Sequence, residues 1–243
     1  MSLVDDLLQT LPEDRPIRQI IVGVHWTVVC SHGCGMASTI TGEKPHAHEK
    51  VRSVGRLLEL SAHELATFAR SDNPLEASLG IAAINSLLDV DEMQAVELNA
   101  ADLLASRGAG KDIALVGHFP FIPRLKELAR HLWVIEKRPV PGEFPPEAAE
   151  DLIPRADVVA LTGSAVINHT LESLLDLCQP NALVVVLGPS TPLSPVLFDH
   201  GAKLISGTRI IDEAAVLRTI SQGATFQQVE GVRLLTIARG GMG

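Results

Sequence analysis

The chain has 243 residues, 46% of them apolar and 20% charged, and a formal charge of −9. This length and balance describe a globular chain that buries one large core or two smaller ones, not a disordered one. The negative charge excludes nucleic acid and anionic membrane as main partners, since both need a basic face, and 3% aromatics without tyrosine leave little for base stacking.

No apolar run is long enough to span a bilayer. The start, Ser2-Leu3-Val4-Asp5-Asp6, lacks the basic and apolar regions of a secretion signal. Three cysteines, Cys30, Cys34 and Cys178, cannot form a complete set of bridges, and a chain of this size needs none. The expectation is a cytoplasmic protein in a reducing compartment.

Residues 4–11 read as a short helix. Residues 17–31 and 34–41 are β-rich runs separated by His32-Gly33, which predicts an antiparallel hairpin. Three apolar-periodic helices follow at 51–60, 61–70 and 75–88, the third started by Asn73-Pro74. Hairpin first and helices second is an α+β arrangement. A connecting helix at 99–107 and the break Gly108-Ala109-Gly110 lead into a different pattern. Strands at 113–119, 132–136, 157–162, 182–187, 203–210 and 232–239 alternate with helical stretches at 120–131, 166–178, 194–200 and 212–222, the last capped by Asp212. Residues 139–154 form a Pro-, Gly- and Glu-rich connection. Such alternation implies a mostly parallel α/β sheet. The expected division is an α+β domain over residues 1–98 and a Rossmann-like α/β domain over 99–243.

Two strand–turn–helix junctions carry the strongest functional signal. Thr162-Gly163-Ser164 follows one strand, and Gly188-Pro189-Ser190-Thr191-Pro192-Leu193-Ser194-Pro195 follows the next. In open α/β sheets the carboxyl edge of the strands is where ligands bind. Gly163 permits a tight turn, and the N–H groups of a helix starting there favour an anion or a polar carbonyl. Asn168 and His169 fall one turn into that helix. Three prolines stiffen the second loop and restrict Ser190 and Thr191. The bland account of both loops is helix capping and a rigid turn. The expected ligand-binding residues are therefore Thr162, Gly163, Ser164, Asn168, His169, Gly188, Ser190 and Thr191.

His118 ends the first strand of the α/β part and can act as a ligand, a base or a donor. The G-x-G-x-x-G and P-loop patterns are both absent, which disfavours dinucleotides and excludes a P-loop nucleotide site. Cys30, His32 and Cys34 alternate, so an extended chain would turn them to one side, though Gly33 and Gly35 suggest a turn that breaks this face. His46 and His48 alternate beside Glu49 and read as a solvated loop. No nucleophile elbow or zinc-protease motif is present.

Taken together, Trp26-Thr27-Val28-Val29, Gly35-Met36-Ala37-Ser38-Thr39, Thr162-Gly163-Ser164 with Asn168-His169-Thr170, and the Gly188–Pro195 segment resemble the putative heavy-metal chelation family. The resemblance implies an N-terminal domain similar to that of enolase, a Rossmann-like C-terminal domain, and a site in the cleft between them. It carries no enolase activity, because the catalytic barrel is missing. It also contributes a transition metal as the candidate cofactor, for which His118 and His169 are the proposed ligands.

The leading expectation is a protein that binds a small molecule or metal chelate in that cleft. The alternative is a lyase or transferase acting on a carboxylated or phosphorylated metabolite, with His118 or His169 as general base. A third reading, a partner of a metal transport system, predicts a large exposed apolar patch. Ligand identity and oligomeric state, a homo-oligomer included, are left open by the sequence.

Overall fold

The computed structural model describes residues 2–42, 50–90, 95–97 and 100–240. His46, His48 and Asn99 lie outside these residues, as does the 98/99 boundary. The elements run α1 (Leu3–Gln9), β1 (Gln19–Val22), β2 (Trp26–Cys30), β3 (Cys34–Ser38), α2 (Ala62–Ala66), α3 (Pro74–Leu87), β4 (Ala95–Val96), α4 (Ala100–Gly108), β5 (Asp112–Val116), α5 (Ile122–Leu128) and β6 (His131–Ile135). After them come α6 (Ala149–Leu152), β7 (Val158–Thr162), α7 (Leu171–Asp176), β8 (Leu183–Leu187), α8 (Val196–Asp199), β9 (Leu204–Ile210), α9 (Glu213–Ser221) and β10 (Val232–Ala238).

β1, β2 and β3 form a small antiparallel sheet, one strand more than the expected hairpin. The run 17–31 splits because the chain doubles back at Gly23, whose N–H bonds the Trp26 carbonyl at 2.9 Å. Side chains in a strand alternate between faces, so this sheet has two buried sides. Val29 and Ala37 join a core with α3, while Val28, Cys30 and Met36 pack against Val216 and Ile220 of α9. Gly35 is required for the α3 side: a Cβ there would lie 2.5 Å from the Asn85 carbonyl carbon.

α3 is buried on nearly every side, which is why no single apolar stripe marks it. Asn73 caps it, accepting from Leu75 N at 3.0 Å, and Pro74 occupies its first turn. The expected helix at 51–60 is not formed. Ser53 and Gly55 adopt positive φ and only a 3₁₀ turn at 57–59 is helical. Arg52 is drawn instead to Glu76 on α3, whose carboxylate accepts from its backbone and its guanidinium.

The seven-stranded sheet has the order β4-β10-β9-β8-β7-β5-β6. The five strands from β9 to β6 are parallel, β10 runs antiparallel to β9, and β4 pairs antiparallel with β10. The buried runs Val158–Leu161 and Val184–Leu187 have helices on both sides of the sheet, as parallel strands require. One core cluster is continuous from Leu3, Leu65 and Ile84 to Val159, Val186 and Leu235. Polar contacts add to this join. His200 Nε2 meets Asp6 Oδ2 at 2.8 Å, and Leu3 N donates to Glu172 at 3.3 Å.

Candidate functional site: a cleft at the strand ends

From β5 the chain turns to β6 on one side, and later to β7 on the other, so the sheet reverses its winding between β5 and β7. Ligand crevices form at such switch points. Here a cleft of about 1290 Å³ opens at the carboxyl ends of these strands, with mostly apolar walls. The segment after β5 contributes His118 and Phe119, the end of β7 and the turn beyond it contribute Thr162 and Ser164, and the loop after β8 contributes Gly188 and Ser190. The small sheet supplies His25, Trp26 and Ser38, and Phe226 closes the wall.

His118 is mostly exposed, and its Nδ1 lies 3.1 Å from Glu143 Oε1. Only 4% of the Glu143 side chain is exposed, and its second oxygen accepts from Val140 N at 3.1 Å. A carboxylate accepting from Nδ1–H leaves Nε2 with its lone pair free for a proton or a cation.

The junction after β7 departs from expectation. A 3₁₀ turn occupies Gly163–Ala165, and α7 begins only at Leu171. Asn168 and His169 therefore sit in the connection, and no α-helix dipole points from Ser164. Thr162 and Ser164 pair hydroxyls at 2.9 Å. Asn168 faces the cleft, whereas His169 adopts φ 56° and gives its Nε2 to the Ser71 carbonyl at 3.0 Å. The structure thus does not bring His169 together with His118.

The proline-rich loop divides its hydroxyls. Ser190 Oγ accepts from Ser38 N at 2.9 Å and pairs with Ser38 Oγ at 3.0 Å, tying the loop to β3. Thr191 faces a second, smaller cavity of about 180 Å³, lined also by His32, Cys34, Asn85 and Thr208. Thr191 Oγ1, Asn85 Oδ1 and Thr208 Oγ1 are all buried there without a hydrogen-bond partner. Gly163 is wedged against this loop: a Cβ would lie 2.6 Å from Thr191 N.

Pattern reading missed Trp26 as a wall residue and Glu143 as the partner of His118. Trp26 packs edge-on against Phe226 with centroids 5.6 Å apart, and its Nε1 is buried without a partner. A buried N–H without an acceptor is costly, which sets this ring apart from the rest of the wall. The signal available in the sequence was rarity: the chain has only two tryptophans.

Among the described residues, metal-competent groups do not converge in the cleft. Among the described residues, three such atoms come within 4.8 Å of one another at Cys30, Cys34 and Glu213. Cys30 and Cys34 are joined by a disulfide, against the expectation of unpaired cysteines, and His32 lies outside their group. Cys178 is free, and burial followed by the charge of Asp176 pushes its thiol up to about 11. No helix among the described residues is long and apolar enough to cross a membrane.

A family profile described as putative heavy-metal chelation matches residues 99–239, and a second with the same description matches 4–88. An uncharacterised protein of Methanocaldococcus jannaschii is 31% identical over 186 residues, covering 73% of this chain and 70% of its own. A crystal structure of a protein of unknown function from Desulfitobacterium hafniense, in the DUF364 family, superposes with TM-score 0.87 at 28% identity, over 98% of both chains. Another from Pyrococcus horikoshii superposes at 0.79 with 21% identity, again over 98% of both, a likeness of fold.

Proposed function

The chain belongs to the putative heavy-metal chelation family, and on that footing we propose that its cleft binds a small organic metal chelate rather than a bare ion. The observation that carries this reading is a cleft of about 1290 Å³ with mainly apolar walls, into which a single carboxylate-steadied imidazole, His118, is set. A cleft of that size suits an organic molecule, with a few polar groups set among apolar walls to orient it. The donor set argues against a naked cation. His118 is one imidazole, steadied by Glu143, where a structural site for a borderline metal needs about four ligands.

In this reading the organic part supplies most of the metal's donors and His118 Nε2 adds one. Glu143 fixes the imidazole tautomer, as carboxylates do behind metal-bound histidines. Ser164 and Asn168 hold oxygens of the chelate, while Phe119 and Phe226 cover its apolar part. Thr162, Gly163, Gly188, Ser190 and Thr191 shape the loops that present these groups, and His169 braces the connection through Ser71.

Trp26 provides the test, because its fluorescence should respond to an occupant of the cleft. Nickel and zinc complexes of citrate, nicotianamine-like and histidine-like chelators serve as probes, titrated against the free ions. A chelate should change the emission in a saturable way, and His118→Ala should weaken that response by about tenfold or more. Equal responses to bare ions and chelates, or a His118→Ala protein indistinguishable from the parent, would end this reading.

The same His118–Glu143 pair also has the form of a general base with its orienting carboxylate. That favours a second reading, proton abstraction from a carboxylated or phosphorylated metabolite. Glu143→Gln separates them: a base would lose turnover by about a hundredfold with binding kept, whereas a chelate site would lose affinity.

A further inference from the structure

Cys30 and Cys34 sit opposite each other where β2 passes into β3, with Cα atoms 4.0 Å apart. Glu213, the first residue of α9, comes from far along the chain to meet them. Its placement is fixed: Arg18 holds its two oxygens at 2.8 and 3.0 Å. Arg18 is in turn anchored on the hairpin, its Nε to the Ser31 carbonyl at 2.9 Å and its backbone N to the Cys30 carbonyl at 2.7 Å. Cys30 is fully buried, while Cys34 and Glu213 are partly open.

We propose that Cys30 and Cys34, when reduced, bind a thiophilic divalent cation together with Glu213 and one water as the fourth donor, at a site separate from the cleft. The disulfide is the closed form of this site. Zinc–thiolate bonds of about 2.3 Å and zinc–carboxylate bonds of about 2.0–2.2 Å place tetrahedral donors roughly 3.5–3.8 Å apart. The three donor atoms already lie within 4.8 Å of one another, so small side-chain adjustments suffice once the sulfur–sulfur bond opens. Two thiolates and a carboxylate carry one negative charge more than the cation neutralises, and Arg18 compensates it. A crosslink alone would need neither Glu213 nor its clamp.

Opening requires a dithiol or phosphine reductant. Two electrons and two protons reach the disulfide, giving two thiols; a dithiol reductant becomes a disulfide itself, and a phosphine takes the oxygen of a water molecule and becomes its oxide. The cation then displaces both thiol protons, with no further change of oxidation state.

Cadmium is the probe, with the intact chain treated or not with a phosphine and then freed of it. Native mass spectrometry counts the bound metal, and ultraviolet absorption reads thiolate-to-metal charge transfer. The reduced protein should take one cadmium per chain with the charge-transfer band, and the oxidised protein should lack the band. Cys34→Ser should abolish the band, and Glu213→Gln, which leaves both thiols in place, should weaken binding by about tenfold or more. Cys178→Ser and His118→Ala should leave cadmium uptake by the reduced protein and the charge-transfer band unchanged, which keeps this result independent of the cleft reading. The proposal falls if the band survives in Cys34→Ser, if Glu213→Gln binds as tightly as the parent, or if the reduced protein stays folded without taking cadmium. Reduction that unfolds the chain overturns it as well, since the site needs α9 docked.

Discussion

The cleft and the cysteine end of the hairpin are two sites of opposite construction. The cleft is assembled from the exits of β5, β7 and β8, neighbours in one sheet, so the winding of the sheet creates it before any side chain is chosen. The cysteine site exists only because α9 packs on β2 and β3, which brings Glu213 to residues about 180 positions earlier. A site made by topology tolerates changes in its lining, while one made by docking fails when the docking does. They stand at opposite ends of the hairpin, four residues or about 14 Å apart along β2.

The strongest challenge to this contrast is Gly35→Val. Its side chain would run into the α3 backbone, and overpacking against fixed backbone should cost about 3 kcal/mol. Urea unfolding should show the loss, and both sites should suffer, because the hairpin contributes to each. A midpoint equal to the parent's would remove the shared support from the comparison. Gly163→Ala, by contrast, should cost about 2 kcal/mol by pushing on the 188–195 loop that carries Ser190 into the cleft wall, while leaving Cys30 and Glu213 in place. Cadmium uptake by the reduced variant is the check; if it disappears too, the sites are not separable in this way.

Reducing the Cys30–Cys34 bond should lower stability by about 2 kcal/mol, given the very short loop it closes. The fluorescence response of Trp26 should persist, since strand pairing and two packed faces hold the hairpin without the bond. A smaller effect comes from a group belonging to neither site. Burial of Glu76 raises its carboxyl pKa, but hydrogen bonds from Ser71 and Arg52 outweigh this and leave it below the ordinary carboxylate value. The folded state then binds that proton less tightly than the unfolded chain. Its stabilisation is complete above the ordinary value and disappears as pH falls through the lowered one. Thermal melts down the acid limb should therefore show a shallower slope for Glu76→Gln, and an unchanged slope would contradict this assignment.

How much of this could be read from the sequence follows the same division. The strands Val158–Thr162 and Leu183–Leu187 announce themselves as buried apolar runs, and the loops after them fall where sheet topology puts a crevice. Residues 163–170 misled, because helical spacing from Val166 onward hides the positive φ at His169. Gly23 hid a strand boundary within an otherwise β-rich run. Glu143 sits in a connection without periodicity, so nothing local couples it to His118. Cys30 and Cys34 could be noticed by their spacing, but their third neighbour is set by packing, which no spacing encodes.

The core shared between Leu3–Leu87 and the large sheet has a kinetic consequence. The walls of the cleft cannot swing apart as rigid bodies without exposing that core to water, so occupancy does not wait for a hinge. Ligand exchange should then follow a single encounter step, its observed rate rising linearly with ligand concentration, and residence time should depend on the side chains at the mouth.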